Sequence, residues 1–142
     1  MKGLLQSITG RFNVAAGSTP AFYTNLAGRM YLEEAPQGTA YPNCVFGIIN
    51  NSADWDFSND FDDALVDFAI YSESPGASEI LGLEENLRTL YDDCKLASTD
   101  LGATWKQVLM HRNNSWLEKV HDEAPGKSLW RYTVEYRVLL TK

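Results

Sequence analysis

Oxygen-bearing side chains at alternate positions between residues 54 and 63 are the feature of this sequence whose spacing is closest to a metal site. A calcium-binding loop takes its ligands from the first, third, fifth, seventh and ninth places. These places are occupied by Asp54, Asp56, Ser58, Asp60 and Asp62. The sixth place, however, is Asn59 where the loop needs a turn glycine, and the twelfth is Leu65 where it needs a bidentate glutamate. We therefore expect no calcium site and interpret the segment as a solvated loop.

The other titratable residues do not have the spacing of a catalytic site. His111 and His121 have no Cys or His at ligand spacing, so neither a zinc site nor a catalytic dyad is expected. Asp62 and Asp63 are adjacent on a predicted strand and point to opposite faces, so they do not form an acid/base pair. The sequence contains no glycine-rich phosphate loop and no Gly-x-Ser-x-Gly turn. It therefore predicts a protein that is not an enzyme and needs no cofactor.

Length and charge restrict the remaining possibilities. The 142 residues, 44% of them hydrophobic, suffice for one domain, residues 1–142, with its own core. The formal charge of −7 argues against nucleic-acid binding, which needs clustered Lys and Arg. Neither a secretion signal nor a membrane span is expected, because polar residues interrupt each apolar run. Cys44 and Cys94 are expected to be buried, reduced thiols, which suggests synthesis in the cytosol.

Three segments have helical periodicity: 2–15, 21–26 and 78–95. The apolar residues of the third segment recur at alternating steps of three and four, as Ile80, Leu83, Leu87, Leu90 and Cys94. This spacing predicts a helix with one buried stripe. Its exposed side is expected to carry Glu84 and Arg88 as an i, i+4 ion pair.

Alternation of side-chain character predicts the strands, which are 29–33, 43–50, 61–71, 105–112 and 128–140. The second is apolar on both faces and should be central, whereas the first should be an edge strand. The connecting segments 51–60 and 118–127 are expected to be loops, and 113–115 a turn.

The alternation also assigns the faces of two strands. In the middle strand, the residues that share one face are Ala64, Val66, Phe68 and Ile70. In the last strand, they are Trp130, Tyr132, Val134, Tyr136, Val138 and Leu140. With hairpin-type connections at the back of the chain, the order of elements predicts an α+β fold. We expect a mainly antiparallel sheet of four to five strands, with a long helix and a short N-terminal helix on one face.

Aromatic residues in segments predicted to be polar point to contact with other proteins. Trp55, Phe57 and Trp116 lie in predicted loops or turns, and aromatic residues on loops are favoured as interface anchors. Each can alternatively fold back over the edge of its own sheet. The three together favour partner contact.

Complementary charge on two strands gives further candidates for such an interface. The polar face of the last strand carries Arg131, Glu135 and Arg137, and that of the middle strand carries Asp63 and Asp67. These charges can pair within one subunit or between neighbouring subunits, and the sequence leaves both possibilities open.

The order of elements resembles that of the tail-completion, or tail-terminator, proteins of long-tailed (siphovirus-type) phages and prophages. The resemblance extends over nearly the whole chain. It rests on the segment 27–32 (AGRMYL), the phrase Ala-Pro-x-Gly-x-x-Tyr-Pro at 35–42, the apolar strand 44–49, the helix 77–95 and the closing strand 131–138 (RYTVEYRV). The aspartate-rich segment and the Trp-bearing segment 105–122 are longer than the family pattern.

The resemblance implies a structural virion protein. Such a subunit forms a ring, commonly of six copies, at the head-proximal end of the tail, after assembly in the host cytoplasm. The ring caps the tail tube, ends its polymerisation and contacts the head–tail connector. DNA passes through without specific binding, and an acidic lumen suits that role because it repels phosphate. The alternative from the residues alone is a monomeric adaptor or inhibitor domain that binds one protein partner.

Overall fold

The computed structural model describes residues 2–55, 60–97, 101–102, 105–121 and 128–142. The helices are α1 (Lys2–Asn13), α2 (Ala21–Asn25) and α3 (Ser78–Tyr91), and the strands are β1 (Met30–Leu32), β2 (Asn43–Trp55), β3 (Asp60–Ser72), β4 (Lys106–His121) and β5 (Ser128–Thr141). The strands form one sheet in the order β1-β2-β3-β5-β4. Only the β1–β2 pair is parallel. The fold is α+β, as the sequence predicts.

The helices cover one face of this sheet because β3 alternates strictly along its length. Ala64, Val66, Phe68 and Ile70 have no exposed surface and belong to the same buried cluster as Leu87 of α3. Side chains of a strand alternate between its two faces, so this single buried row defines the covered side of the sheet. The faces predicted for the middle strand are therefore confirmed, and Val134, Tyr136, Val138 and Leu140 of β5 are buried as predicted.

An aromatic cluster joins the two layers. The ring of Phe68 lies 4.9 Å from that of Tyr91 on α3, and 5.8 Å from those of Phe46 on β2 and Tyr136 on β5, measured between centroids. The Tyr91 hydroxyl donates a buried hydrogen bond of 2.8 Å to the carbonyl of Ile8 on α1. One side chain of the central strand thus contacts both neighbouring strands and the long helix, and that helix is bonded to α1.

Two side chains fix the ends of α3. Ser72, the last residue of β3, donates a 2.6 Å hydrogen bond to the carboxylate of Glu79 in the first helical turn, where a negative charge is favoured by the helix dipole. At the other end, Arg11 Nε donates a 2.6 Å hydrogen bond to the carbonyl of Leu90, one of the terminal carbonyls that lack an intrahelical partner. The helix ends at Tyr91 and not at the predicted Lys95. Cys94 therefore lies in the segment after the helix, and its side chain is buried there.

Glu84 differs from its predicted exposed position. It forms the predicted pair with Arg88, at 2.7 Å, but its side chain is only 5% exposed because Arg112 of β4 approaches it at 3.7 Å. Arg112 also lies 3.8 Å from Asp92, which accepts a 2.5 Å hydrogen bond from the Tyr136 hydroxyl. Burial raises the pKa of Glu84, and the two arginines oppose that rise. This network joins α3 to β4 and β5.

The loop predicted at 51–60 is wrong in most of its extent. β2 continues to Trp55, and β3 begins at Asp60, with Trp55 and Asp60 as register partners. A register shift between Ile48 and Asn50 breaks the strict alternation of this strand. A bulge of this kind inserts a residue and removes the period-two pattern, so the polar second half of β2 resembles a loop in sequence.

The turn predicted at 113–115 and the start of the loop predicted at 118 are also wrong. β4 is a single strand from Lys106 to His121, paired with β5 along its length. Its register shifts at two points, between Gln107 and Leu109 and between Arg112 and Asn114. Pairing with Glu135 of the regular strand β5 keeps Asn114 extended, although asparagines favour turns. Asn113 is the extra residue at the second shift and has no register partner.

The sheet order corrects one further expectation. The strand that starts at Asn43, β2, was predicted to be central, but it lies one place from the edge of the sheet. The central strand is β3. The helix layer covers Cys44 and Phe46 on one side of β2, while the other side is partly covered by the chain that follows β1. Cys44 and Cys94 are both free and buried, as predicted. Within the described residues, no helix combines the length and the apolar character needed to cross a membrane.

Truncation of the inter-layer contact should be strongly destabilising. Phe68→Ala and Leu87→Ala each remove a side chain with no exposed surface, and each should lower the free energy of unfolding by about 2–5 kcal/mol. Leu81→Ala on the same helix is the matched control: its side chain is 45% exposed, and the change should be within about 0.5 kcal/mol. Urea titration of the three variants measures the difference. Equal midpoints for Leu87→Ala and Leu81→Ala would contradict the helix-on-sheet packing.

Candidate functional site: the open face and edges of the sheet

The sheet face that points away from the helices is called the open face here. The strand registers place on it Val45 and Gly47 of β2, Asp63, Leu65, Asp67, Ala69 and Tyr71 of β3, Arg131, Thr133, Glu135, Arg137 and Leu139 of β5, and His111, Trp116 and Glu118 of β4. Most of the sequence-predicted interface residues therefore lie on one surface. The period-two pattern of β3 and β5 is the sequence signal that brings them together.

Two arginines on the open face form ion pairs within the chain. Arg137 of β5 binds Asp63 of β3 through both Nε and Nη2, the shorter distance being 2.6 Å. Arg131 binds Glu118 of β4 at 2.5 Å. Hydrogen bonds to Glu118 and to Tyr71 raise the pKa of Arg131. Both guanidinium groups are thus satisfied by carboxylates of neighbouring strands of the same subunit.

Three other carboxylates of this surface have no Lys or Arg partner within the described residues. Asp67 and Glu135 are direct register partners on adjacent strands. Glu33, in the chain after β1, lies against the Cα of Gly47, which is the register partner of Asp67 on its other side. A Cβ at Gly47 would be only 2.5 Å from the Glu33 carboxylate, so a larger residue there would displace this side chain. The sequence indicated charge complementarity between β3 and β5, but Asp67 faces a like charge.

The neighbouring carboxylates change the pKa of Asp67. Burial raises the pKa of its carboxyl, and the neighbouring carboxylates Glu33 and Glu135 raise it further, against the opposing effect of a backbone hydrogen bond. Like charges opposite each other across two strands destabilise a sheet. The open face therefore keeps a local excess of negative charge at a cost to folding stability.

A concave region adjoins these carboxylates. The segment 33–42, which contains the Ala-Pro-x-Gly-x-x-Tyr-Pro phrase, forms a cavity of about 700 Å³ with the open face. The Arg29 guanidinium holds this segment by donating to the carbonyls of Pro42, at 2.9 Å, and Tyr41, at 3.3 Å. The cavity is lined by Glu33, Pro36, Tyr41, Val45, Asp67 and Tyr71, among others. Its walls combine acidic and aromatic groups and can bind a protein segment through shape and charge.

The aromatic candidates lie in strands. Trp116 belongs to β4, where its side chain is 41% exposed, and the neighbouring Leu117 is 36% exposed. Trp55 is the last residue of β2. Phe57 lies outside the described residues. Trp116 lies in a strand where the sequence predicted a turn, and its contact with a partner stays a prediction.

The outer edge of β4 is open along its second part. Its first part is covered by the segment after α3: the Asp93 amide donates to the Met110 carbonyl at 3.1 Å, and Gln107 Nε2 donates to the Cys94 carbonyl at 2.7 Å. From residue 112 to residue 121 no described strand pairs with the outer side of β4. This segment is called the β4 edge.

The opposite side of the sheet has a comparable opening. β1 pairs with residues 44–46 of β2, and one further bond links the Glu33 amide to the Phe46 carbonyl at 2.8 Å. From residue 48 to residue 55 the outer side of β2 has no partner strand among the described residues. This segment is called the β2 edge, and it contains Ile49, which is 53% exposed. Sequence reasoning missed both edges, because it divided each strand into strand and loop.

The titratable side chains can now be compared with the arrangement that a metal site needs. No group of three or more His, Cys, Asp or Glu in the described residues is arranged to hold a metal ion. His111 Nδ1 lies 3.3 Å from the Asp93 carboxylate, and both side chains are mostly exposed. Of the aspartates predicted to form a loop, Asp54 belongs to β2, and Asp60 and Asp62 belong to β3. Asp56, with the rest of 56–59, lies outside the described residues. The arrangement favours recognition of a macromolecule.

Comparison with known proteins identifies the fold. No protein-family model matches the chain, and no curated protein matches it in sequence. The structure is similar to a chain in the virion of a native gene transfer agent particle, with a TM-score of 0.69 and 9% sequence identity. The similarity covers 95% of this chain and 92% of that one. At this identity, the similarity concerns the fold.

Neutralising Asp67 should stabilise the protein at neutral pH. A carboxyl with a raised folded-state pKa binds its proton more tightly in the folded protein, so folding stability falls as pH rises from the unfolded pKa through the folded one. Asp67→Asn removes this loss. The variant should melt at a higher temperature than the wild type at pH 7, and the gain should vanish at acid pH, below both pKa values.

Asp63→Asn is the matched control for this experiment. It removes the carboxylate that binds Arg137, so it should not raise the melting temperature at any pH. Thermal unfolding followed by circular dichroism at several pH values makes the comparison. A lower melting temperature for Asp67→Asn at pH 7 would show that Asp67 has a stabilising partner.

Proposed function

We propose that this protein is a non-enzymatic structural subunit of a phage-like particle that forms a ring at the head-proximal end of the tail. In this role it caps the tail tube, ends tube polymerisation and offers a surface to the head–tail connector. The observation that carries the proposal is the fold similarity to a virion chain over nearly the full length of both chains. The family resemblance of the sequence gives the more specific role of tail terminator.

The charge of the open face supports a position next to DNA. Its two arginines are engaged by Asp63 and Glu118, whereas Glu33, Asp67 and Glu135 have no described cationic partner. A ring whose channel is lined by this face presents fixed negative charge to passing DNA. Phosphate is repelled by such a surface and finds no cation to bind. The raised pKa of Asp67 supports this interpretation. A carboxylate that lowers the folding stability of the protein is better explained by function than by folding.

The candidate interface residues then divide between two roles. Asp63, Asp67, Arg131, Glu135 and Arg137 belong to the proposed channel surface. Trp116 and Trp55, which lie on the two sheet edges, belong to the proposed contacts between subunits. Phe57, outside the described residues, stays a candidate on the sequence argument alone.

The isolated protein at high concentration, or the protein bound to tail tubes, should form closed rings. Their mass should be a whole multiple of 15.9 kDa, six-fold if the ring follows the family resemblance. Light scattering after size exclusion measures the mass, and negative-stain microscopy shows the channel. A protein that stays monomeric under both conditions while binding one partner would favour the alternative, a monomeric adaptor that uses the cavity beneath residues 33–42.

Charge reversal on the proposed channel surface should create DNA binding. Wild-type rings should not retain duplex DNA, whereas rings carrying Glu33→Lys and Glu135→Lys should bind it, with an affinity that falls as salt rises. The matched control is Glu73→Lys with Glu85→Lys, which changes the net charge equally at exposed positions after the end of β3 and on α3. Electrophoretic mobility at several salt concentrations compares them. Equal DNA binding by both double variants would contradict the assignment of the open face to the channel.

A further inference from the structure

We infer that the partner of the β4 edge is a second copy of this chain, bound through its β2 edge so that the sheets of neighbouring subunits continue into one another. This inference rests on the proposed ring and deepens it by naming the contact. An unpaired strand edge is a template for pairing with another chain, and these two edges are the longest such templates among the described strands.

The two edges are chemically complementary. By sequence, the β4 edge, residues 112–121, carries Arg112 and Lys119 against one carboxylate, Glu118, in a chain whose net charge is −7. The β2 edge, residues 48–55, carries one carboxylate, Asp54, and no Lys or Arg. The exposed apolar side chains also match, with Trp116 and Leu117 on the β4 edge and Ile49 on the β2 edge. An isologous contact between two identical edges would place like charges together, so a head-to-tail contact is favoured.

Charged residues often protect natural edge strands, but the β4 edge is only partly protected in this way. The ammonium group of Lys119 lies over the ring of Trp130, 5.7 Å from its centroid, and so extends along its own sheet. Arg112 is drawn towards Glu84 and Asp92 under the helix layer. The backbone of the β4 edge is therefore left accessible, and Trp116 and Leu117 flank it.

Strand directions are compatible with this contact. β2 is antiparallel to β3, β3 to β5, and β5 to β4, so β4 runs opposite to β2 within one subunit. Copies related by a rotation about an axis roughly along the strands keep these directions. The β4 edge of one copy then meets the β2 edge of the next as an antiparallel pair, and a heterologous contact of this kind closes into a ring when the rotation allows.

The offset between the edges is compatible with a closed ring. The middle of the β2 edge, Asn51, is level with Met110 of β4 through the registers of β3 and β5. The middle of the β4 edge, Leu117, is level with Tyr132 of β5, which is six register places from Val138, or about 20 Å at the rise of a strand. The four strands that would repeat around the ring, β2, β3, β5 and β4, span about 19 Å across the sheet. A level ring therefore needs strands tilted by about 45° to its axis, which is close to the tilt of closed barrels.

Cysteine cross-linking tests the contact. Asn51→Cys and Leu117→Cys are exposed positions on the same side of the sheet, so both variants should fold. The native thiols should stay silent towards a bismaleimide, because both are buried and burial raises the pKa of Cys94 to about 11 and that of Cys44 still higher. A mixture of the two variants should give a covalent dimer, and each alone should give none. Both substitutions in one chain should give a ladder that stops at the ring size.

Leu81→Cys on α3 replaces Asn51→Cys as the matched control and should not cross-link to Leu117→Cys. Dimers from Leu117→Cys alone would overturn the inference in favour of an isologous contact. Failure of the mixture to cross-link at concentrations where light scattering detects an oligomer would also overturn it, while the proposed ring would stand with its contact elsewhere. If no oligomer forms with or without tail tubes, the inference and the proposed ring fail together.

Discussion

The position of Phe68 at the centre of the sheet is the constraint on which the rest of the structure depends. Its ring contacts Phe46 and Tyr136 on the two neighbouring strands and Tyr91 on the long helix. Tyr91 in turn is bonded to α1. Alternate side chains of one strand face opposite ways. This contact therefore places the even-numbered side chains of residues 64–70 of β3 against the helix layer and the odd-numbered ones on the other side. This alternation decides which side chains of β3 lie on the open face.

The helices thus satisfy only one side of the sheet. The opposite side keeps three carboxylates without a described Lys or Arg partner, a cavity beneath residues 33–42 and two strand edges without described partners. An isolated domain gains nothing from like charges on adjacent strands or from open edges flanked by Trp116 and Ile49. A subunit of a larger assembly gains from both: the edges supply contacts between copies, and the carboxylates supply a surface that does not hold nucleic acid.

Sequence periodicity predicted the regular elements and failed where bulges interrupt them. β3 and β5 carry unbroken patterns, so their extents and buried faces could be predicted; for α3 the start and the buried stripe could be predicted, but the helix ends four residues earlier than its pattern. β2 and β4 contain register shifts and polar or asparagine-rich stretches, and each was divided into a strand and a loop. Asn114 is kept extended by pairing with β5, which is remote in the chain and not encoded locally.

The same limit applies to the candidate site. The sequence could place Arg137 and Asp63 on the polar faces of their strands, but only the strand register shows that they meet, that Arg131 binds Glu118 instead, and that Asp67 faces Glu135. Register depends on the whole pairing, and a slip of one residue moves every side chain to the other face. Trp116 was recognised because a large aromatic residue among polar neighbours is unusual even without knowledge of its partner.

Hydrogen–deuterium exchange, compared between the dilute protein and the assembled ring, tests most directly that this chain assembles through the edges of its sheet. Backbone amides at an open strand edge exchange readily and become protected when another strand pairs with them. The account predicts that protection rises in residues 112–121 and 48–55, and that the helices α1 and α3 change little. Protection confined to the helix layer, with both edges still exchanging freely in the ring, would contradict it.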